Sequence, residues 1–249
     1  MAVTASSEQQ RLLLDVQALD TKLLQLAHKR AGVPQVKETQ DLEVALGSLD
    51  MQIVAAKTHL SDLSLGQAKA ESDVEQVRSR AARDQERLDS GAVNAVKELE
   101  SLQHEIVSLS RRQAELEEVE LEIMQQVEES QQILDRLVHE RADTEQQLET
   151  KRAELTEIMA DLDAAKASME HDRAGIANDV PSDLLAFYDK IRADLGGVGA
   201  SMLHRASCQG CHIAVDATEL QRIRGIAPEV VVRCEECRRI LVRTSESGL

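Results

Sequence analysis

Four cysteines in two pairs carry the clearest chemistry in this 249-residue chain: Cys208-Gln209-Gly210-Cys211 and Cys234-Glu235-Glu236-Cys237, with 22 residues between the pairs. Two residues between thiols let one tight turn aim both sulfurs at one ion, and two such turns complete a tetrahedral S4 shell. Gly210 is expected to supply a positive φ in the first turn. The spacing reads as a metal site holding structural Zn2+, with a redox dithiol pair or an iron–sulfur centre as the alternatives. Four thiolates leave no open position for water, so such a zinc is structural rather than catalytic. His204 and His212 would have to displace a cysteine to change that; His212 reads as an exposed residue or a donor behind a sulfur.

Arg222, Arg224, Arg233, Arg238, Arg239 and Arg243 surround the second pair. They have two readings. They contact the phosphates of RNA or DNA, or an acidic protein surface; or they offset a doubly negative Zn–S4 centre and the adjacent Glu235 and Glu236. Base stacking has no support, because residues 198–249 contain no Phe, Tyr or Trp. No nucleophile–base pair, glycine-rich phosphate loop or paired acid site stands out, so the chain reads as a non-enzyme.

The rest of the chain must hold this site, and its composition narrows how. Charged residues make up 30 % and hydrophobic residues 42 %, yet there is one Phe, one Tyr and no Trp. Gly and Pro number 11 and 3, roughly half the usual share. Few turn residues mean few turns, which argues against sandwiches, barrels and doubly wound folds and for a few very long helices. Residues 42–88, read in steps of four and three, give fourteen positions of which twelve are apolar. A second register runs through residues 99–169, with Gln113, Glu120, Ser130, Arg141, Thr144 and Lys151 as polar departures. A 3.5-residue repeat held this long predicts a coiled coil.

The breaks set the topology. Lys29-Arg30-Ala31-Gly32-Val33-Pro34 reads as a helix stop, and Asp89-Ser90-Gly91 as a tip between two stretches of nearly equal length. The prediction is a mainly α protein: a long antiparallel coiled-coil hairpin over residues 1–175, broken near 31–34 and turning near 89–94, about 120 Å long. A connecting helix over 176–197 opens at Pro181-Ser182, closes at Gly196-Gly197 and uses Phe187 or Tyr188 to pack the shaft base against the C-terminal part. A small C4 zinc ribbon (β) domain occupies 198–249, with strands at 200–206, 230–233 and 240–243. A monomeric hairpin is favoured over a parallel dimer, which would leave Gly91 without a purpose.

Residues 1–200 carry 22 Lys/Arg against 39 Asp/Glu, and residues 201–249 carry seven arginines against six acids, within a net charge of −16. The acidic shaft repels nucleic acid, while the near-neutral end tolerates it. No run of 18 apolar residues exists, which predicts no membrane span. The first eight residues lack the basic and apolar regions of a signal peptide, and a cytoplasmic protein is expected.

Three segments carry a resemblance: Lys97-Glu98-Leu99-Glu100-Ser101-Leu102-Gln103-His104-Glu105-Ile106; Val180-Pro181 through Tyr188-Asp189-Lys190-Ile191-Arg192; and the two cysteine pairs, the second within Val232-Arg233-Cys234-Glu235-Glu236-Cys237-Arg238-Arg239-Ile240-Leu241. In these the chain resembles the bacterial family that joins a coiled-coil hairpin to a C4-type zinc ribbon and is often described as nucleic-acid-binding. It looks most like the actinobacterial branch. The resemblance implies zinc on Cys208, Cys211, Cys234 and Cys237 and a non-enzymatic role in binding RNA or protein, including transcription-related partners in some members. The leading expectation is an adaptor that docks protein partners; the alternative is an RNA- or DNA-binding regulator using the arginine-rich ribbon.

Overall fold

The computed structural model describes residues 3–249. Helices α1 (Ser7–Ala31), α2 (Pro34–Asp89), α3 (Val96–Asn178) and α4 (Ser182–Asp194) precede strands β1 (Ala200–His204) and β2 (Ser207–Cys208), a short helix α5 (Ala217–Gly225) and strand β3 (Ile240–Val242). The fold is thus mainly α, a coiled-coil hairpin followed by a small C-terminal sheet.

Residues 37–152 form one compact unit. All fourteen register positions between 42 and 88 are buried or half-buried, with Leu49, Ile53, Ala70 and Val74 buried. On α3 the matching seam buries Leu102, Leu134 and Leu148, and also Ser130. Ion pairs across the two helices show their sense: Arg152 Nη2 lies 2.7 Å from Glu43, Arg141 Nε 2.6 Å from Asp50, and Arg78 Nη2 3.3 Å from Glu117. One partner's number rises as the other's falls, so the helices are antiparallel. Polar seam residues reach the flanks, where Arg141 also bonds Glu145 at 2.9 Å, Lys151 meets Glu38 at 3.3 Å and Gln113 donates to Glu117 at 2.8 Å. These exposed pairs each add at most about 1 kcal/mol. Apolar burial holds the unit together, and the charges set its register.

Residues 1–36 and 153–249 form the second unit. Its first helix opens with a capping box, in which Ser6 Oγ accepts from the Gln9 amide at 3.1 Å and Gln9 Oε1 from the Ser6 amide at 2.9 Å. The buried residues Gln10, Leu13, Val16, Gln17 and Asp20 recur at helical spacing on one face of α1. Against them pack Val180, Leu184, Tyr188 and Ile191 around α4, and Ala200, Ile240 and Val242 from the sheet.

The sheet has the order β2-β1-β3, with β1 antiparallel to β2 and parallel to β3. Alternation along its strands separates two cores. Ala200, Ile240 and Val242 face the helices, while Leu203 and Leu241 join Cys208, Ile223, Val232 and Cys234 in a smaller cluster. Packing therefore crosses position 198: the ribbon shares a core with α1 and α4.

Some sequence expectations change. The strand expected at 230–233 is reduced to single bridges, Thr4 with Val230 and Arg233 with Ile240. The first expected strand stops at His204, because Arg205 (φ 47) and Ala206 (φ 62) turn the chain into β2. Helix α5 is unanticipated; Asp216 caps it by accepting from the Thr218 amide at 2.7 Å.

A buried polar cluster ties the base together. Tyr188 is fully buried, and its hydroxyl lies 2.7 Å from Asp20 Oδ2 and 3.1 Å from Gln17 Oε1. Burial, then the bond to Asp20, raises the Tyr188 pKa, so the hydroxyl stays protonated and donates. Gln17 Oε1 accepts from the Gly199 amide at 2.7 Å, and Gln17 Nε2 donates to the Gly197 carbonyl at 3.1 Å. A Cβ on Gly199 would lie 2.8 Å from the Tyr188 carbonyl oxygen and 2.9 Å from its ring. Gly199→Ala is therefore expected to cost about 2 kcal/mol or more, read as a lower thermal midpoint with the metal content unchanged.

Candidate metal centre

The two cysteine pairs fold into turns with the same backbone bonds. In the first, the Cys208 amide donates to the Ile213 carbonyl at 3.1 Å and the His212 amide to the Cys208 carbonyl at 2.8 Å. In the second, the Cys234 amide donates to Arg239 at 2.9 Å and the Arg238 amide to Cys234 at 2.9 Å. The offsets are identical. The residue after each second cysteine is left-handed, His212 at φ 59 and Arg238 at φ 63. The positive φ expected of Gly210 lies there instead. Glycine at 210 answers a steric demand, since a Cβ would meet Ser201 Oγ at 2.9 Å and Arg239 Cδ at 3.0 Å. A left-handed non-glycine residue costs roughly 1 kcal/mol. Arg238→Gly is thus expected to slow metal loss to a chelator, and Gly210→Ala to hasten it.

The turns bring the four sulfurs within 4.8 Å of one another. Cys208 Sγ lies 3.8 Å from Cys237 Sγ, and Cys211 Sγ 3.9 Å from Cys234 Sγ. A tetrahedral ion with metal–sulfur bonds of about 2.3 Å has edges of about 3.8 Å. All four cysteines are free of disulfides. Burial alone would raise the Cys208 thiol, but bonds from the Ser201 hydroxyl and the Gly210 and Cys211 amides bring it down to about 7. Burial pushes Cys234 up to about 12, and burial with its thiol neighbours raises Cys211. Four adjacent thiols resist ionising together, and a divalent cation removes that conflict. Among the described residues no other His, Cys, Asp or Glu group is placed to hold a metal.

The same arrangement recurs in known proteins. The CT398-like coiled coil hairpin domain matches residues 16–196, and a C4-type zinc ribbon domain matches residues 207–241. The chain belongs to the CT398-like coiled-coil hairpin family. The uncharacterized protein Rv2229c of Mycobacterium tuberculosis is 34 % identical over 246 residues, covering 96 % of this chain and 97 % of that protein. The uncharacterized protein ML1638 of Mycobacterium leprae is 29 % identical over 232 residues, covering 88 % and 93 %. A solved structure from Mycobacterium smegmatis superimposes with a TM-score of 0.79 at 32 % identity, covering 97 % of this chain and all of that one. CT398 from Chlamydia trachomatis shares the fold at a TM-score of 0.64 and 18 % identity, covering 95 % and 98 %. The mycobacterial relatives place this CT398-like chain in the actinobacterial branch. Both matched domains are described as structural units, a hairpin and a ribbon, rather than as enzymes.

The ribbon arginines of this CT398-like protein divide unevenly. Arg243 donates to the carbonyls of Ile223, Ile226, Ala227, Pro228 and Val230 at 2.7–3.4 Å, closing the loop after α5. Arg239 reaches Val198, Gly210 and Leu195 carbonyls at 3.1, 3.2 and 3.5 Å, joining the first turn to the end of α4. Arg222 pairs with the buried Glu219. Arg233 donates to the Arg238 carbonyl at 2.6 Å and sits 5.8 Å from the Phe187 ring centroid. The guanidinium groups of Arg224 and Arg238, and that of Arg205 in the turn after β1, make no bond among the described residues. The sequence signal that separates the two sets is weak, because an arginine's carbonyl partners lie far along the chain.

Proposed function

We propose that this CT398-like chain is a non-enzymatic adaptor of the cytoplasm, in which structural zinc on Cys208, Cys211, Cys234 and Cys237 shapes the ribbon and the protein docks protein partners. Among the described residues no helix is long and apolar enough to cross a membrane. The S4 set has no vacant ligand position for water or substrate. The observation that carries the protein-docking reading is the fate of the arginines: four of the seven in residues 201–249 are tied to the fold, which leaves Arg205, Arg224 and Arg238 for phosphates on a chain of net charge −16. The test is capture from a cell lysate on the tagged full-length chain, with and without nuclease. Specific protein partners that survive nuclease treatment are expected. Recovery of RNA alone, lost on nuclease treatment, would contradict the proposal.

The second reading, a nucleic-acid-binding ribbon, rests on Arg224 and Arg238. It requires that Arg224→Glu combined with Arg238→Glu weaken RNA binding and lower its dependence on salt by about one unit of slope per lost phosphate contact. The adaptor reading expects no RNA binding for that pair to alter.

A further inference from the structure

A groove of about 350 Å³ runs along the ribbon between residues 213–216 and the second cysteine turn. Its apolar lining comes from Ile213, Val215, Ile223 and Leu241, and its rim carries Asp216, Glu235 and Glu236. Ile213 is 47 % exposed although its neighbours in the groove are apolar. Arg222 pairs with Glu219 and its charge also acts on the neighbouring Glu235, whereas the exposed rim carboxylate of Glu236 has no ion pair among the described residues.

The same groove follows a sheet edge. Ser207 and Ala214 form an antiparallel bridge, in which the Cys208 amide donates to Ile213 and the Val215 amide to Ala206. The amide and carbonyl of Ala214 therefore point away from β2, and neither makes a hydrogen bond among the described residues. An unpaired edge beside an apolar trough is where an extended peptide adds as a strand, with alternate side chains pointing to opposite sides.

We infer that this groove docks an extended basic segment of a protein partner, in which aliphatic residues alternate with lysine or arginine. The aliphatic side chains lie against Ile213 and Val215, the cations meet Asp216, Glu235 and Glu236, and the backbone pairs with Ala214. The inference rests on the protein-docking reading and names the chemistry of the docked partner. An acidic rim opposes RNA at this face.

The test measures fluorescence anisotropy of a labelled ten-residue peptide of alternating lysine and valine with the zinc-loaded full-length chain. A peptide of alternating glutamate and valine is the control. Binding of the lysine peptide alone is expected. Glu235→Lys with Glu236→Lys should weaken it at least tenfold, and Ala214→Pro at least fivefold, with zinc content and circular dichroism unchanged. Should either variant lose zinc, Ile213→Lys decides, with the same tenfold loss expected. Affinity within twofold of wild type in these variants would overturn the inference, and is also the result if the peptide sits on the acidic shaft. Displacement of the peptide by polyuridine would overturn it too. Either failure leaves the capture of nuclease-resistant partners standing, so it is separable from failure of the adaptor reading.

Discussion

Cys234→Ser is expected to abolish zinc binding and dissolve the outer half of the ribbon while leaving the helices folded. The outer cluster holds six buried residues, Leu203, Cys208, Ile223, Val232, Cys234 and Leu241, and two of these are cysteines of the proposed zinc site. So small a core does not fold without a staple. A structural zinc supplies on the order of 10 kcal/mol. The inner face of the sheet has other support, because Ala200, Ile240 and Val242 pack on Leu13, Val16, Leu184 and Tyr188. Hydrogen exchange should therefore accelerate through residues 205–238, fall only partly at 200–203 and 240–242, and stay slow in α1 and α4. The far-UV signal, dominated by α2 and α3, should barely move. Protection across residues 208–237 that survives both the substitution and metal removal would contradict a metal-built ribbon.

Asp20→Ala is expected to have the largest effect outside the metal site. The Asp20 side chain is 1 % exposed, accepts from Arg173 Nε at 2.7 Å and also pairs with Arg192. Tyr188 donates to it at 2.7 Å. Its loss takes the acceptor from Arg192, leaves Arg173 with Asp189 alone at 2.9 Å and leaves the buried Tyr188 hydroxyl with Gln17 Oε1 alone at 3.1 Å. Breaking a buried pair from one side costs about 3–5 kcal/mol, and the partial exposure of both arginines puts the expected loss at about 3 kcal/mol. The thermal midpoint should drop by roughly 6–12 °C for a chain of this size, with zinc still bound. Asp20→Asn, which keeps an acceptor oxygen, should recover part of the loss. A midpoint within 2 °C of wild type for Asp20→Ala, about what 1 kcal/mol or less produces, would show that the cluster adds nothing to the base.

The hairpin was legible because its physics is periodic. A stripe such as Leu42, Leu49, Ile53 and Val74 repeats every 3.5 residues and needs no distant information, and Gly32-Val33-Pro34 and Gly91 punctuate it locally. The convergence of Cys208, Cys211, Cys234 and Cys237 was legible for a similar reason, since each pair sits in one tight turn. What stayed hidden depends on contacts between distant residues. Asp20 and Gln17 look like ordinary polar interruptions of α1 until Tyr188 and Gly199, 171 and 182 residues beyond Gln17, are brought beside them. Arg239 and Arg243 look like surface cations until the carbonyls they satisfy come into place. Helix α5 did carry a local sign, Asp216 three residues before Glu219, but its nine residues hold too few turns for a periodic signal.

The most direct test of a protein-docking adaptor is fluorescence anisotropy of the zinc-loaded chain with a random RNA pool, at low and moderate salt. At low salt electrostatic attraction is least screened, so the absence of binding there is the decisive observation and the expected one. Submicromolar binding that falls steeply with salt, and is lost when Arg224 and Arg238 are both changed to glutamate, would contradict the adaptor reading and make the ribbon a nucleic-acid interface.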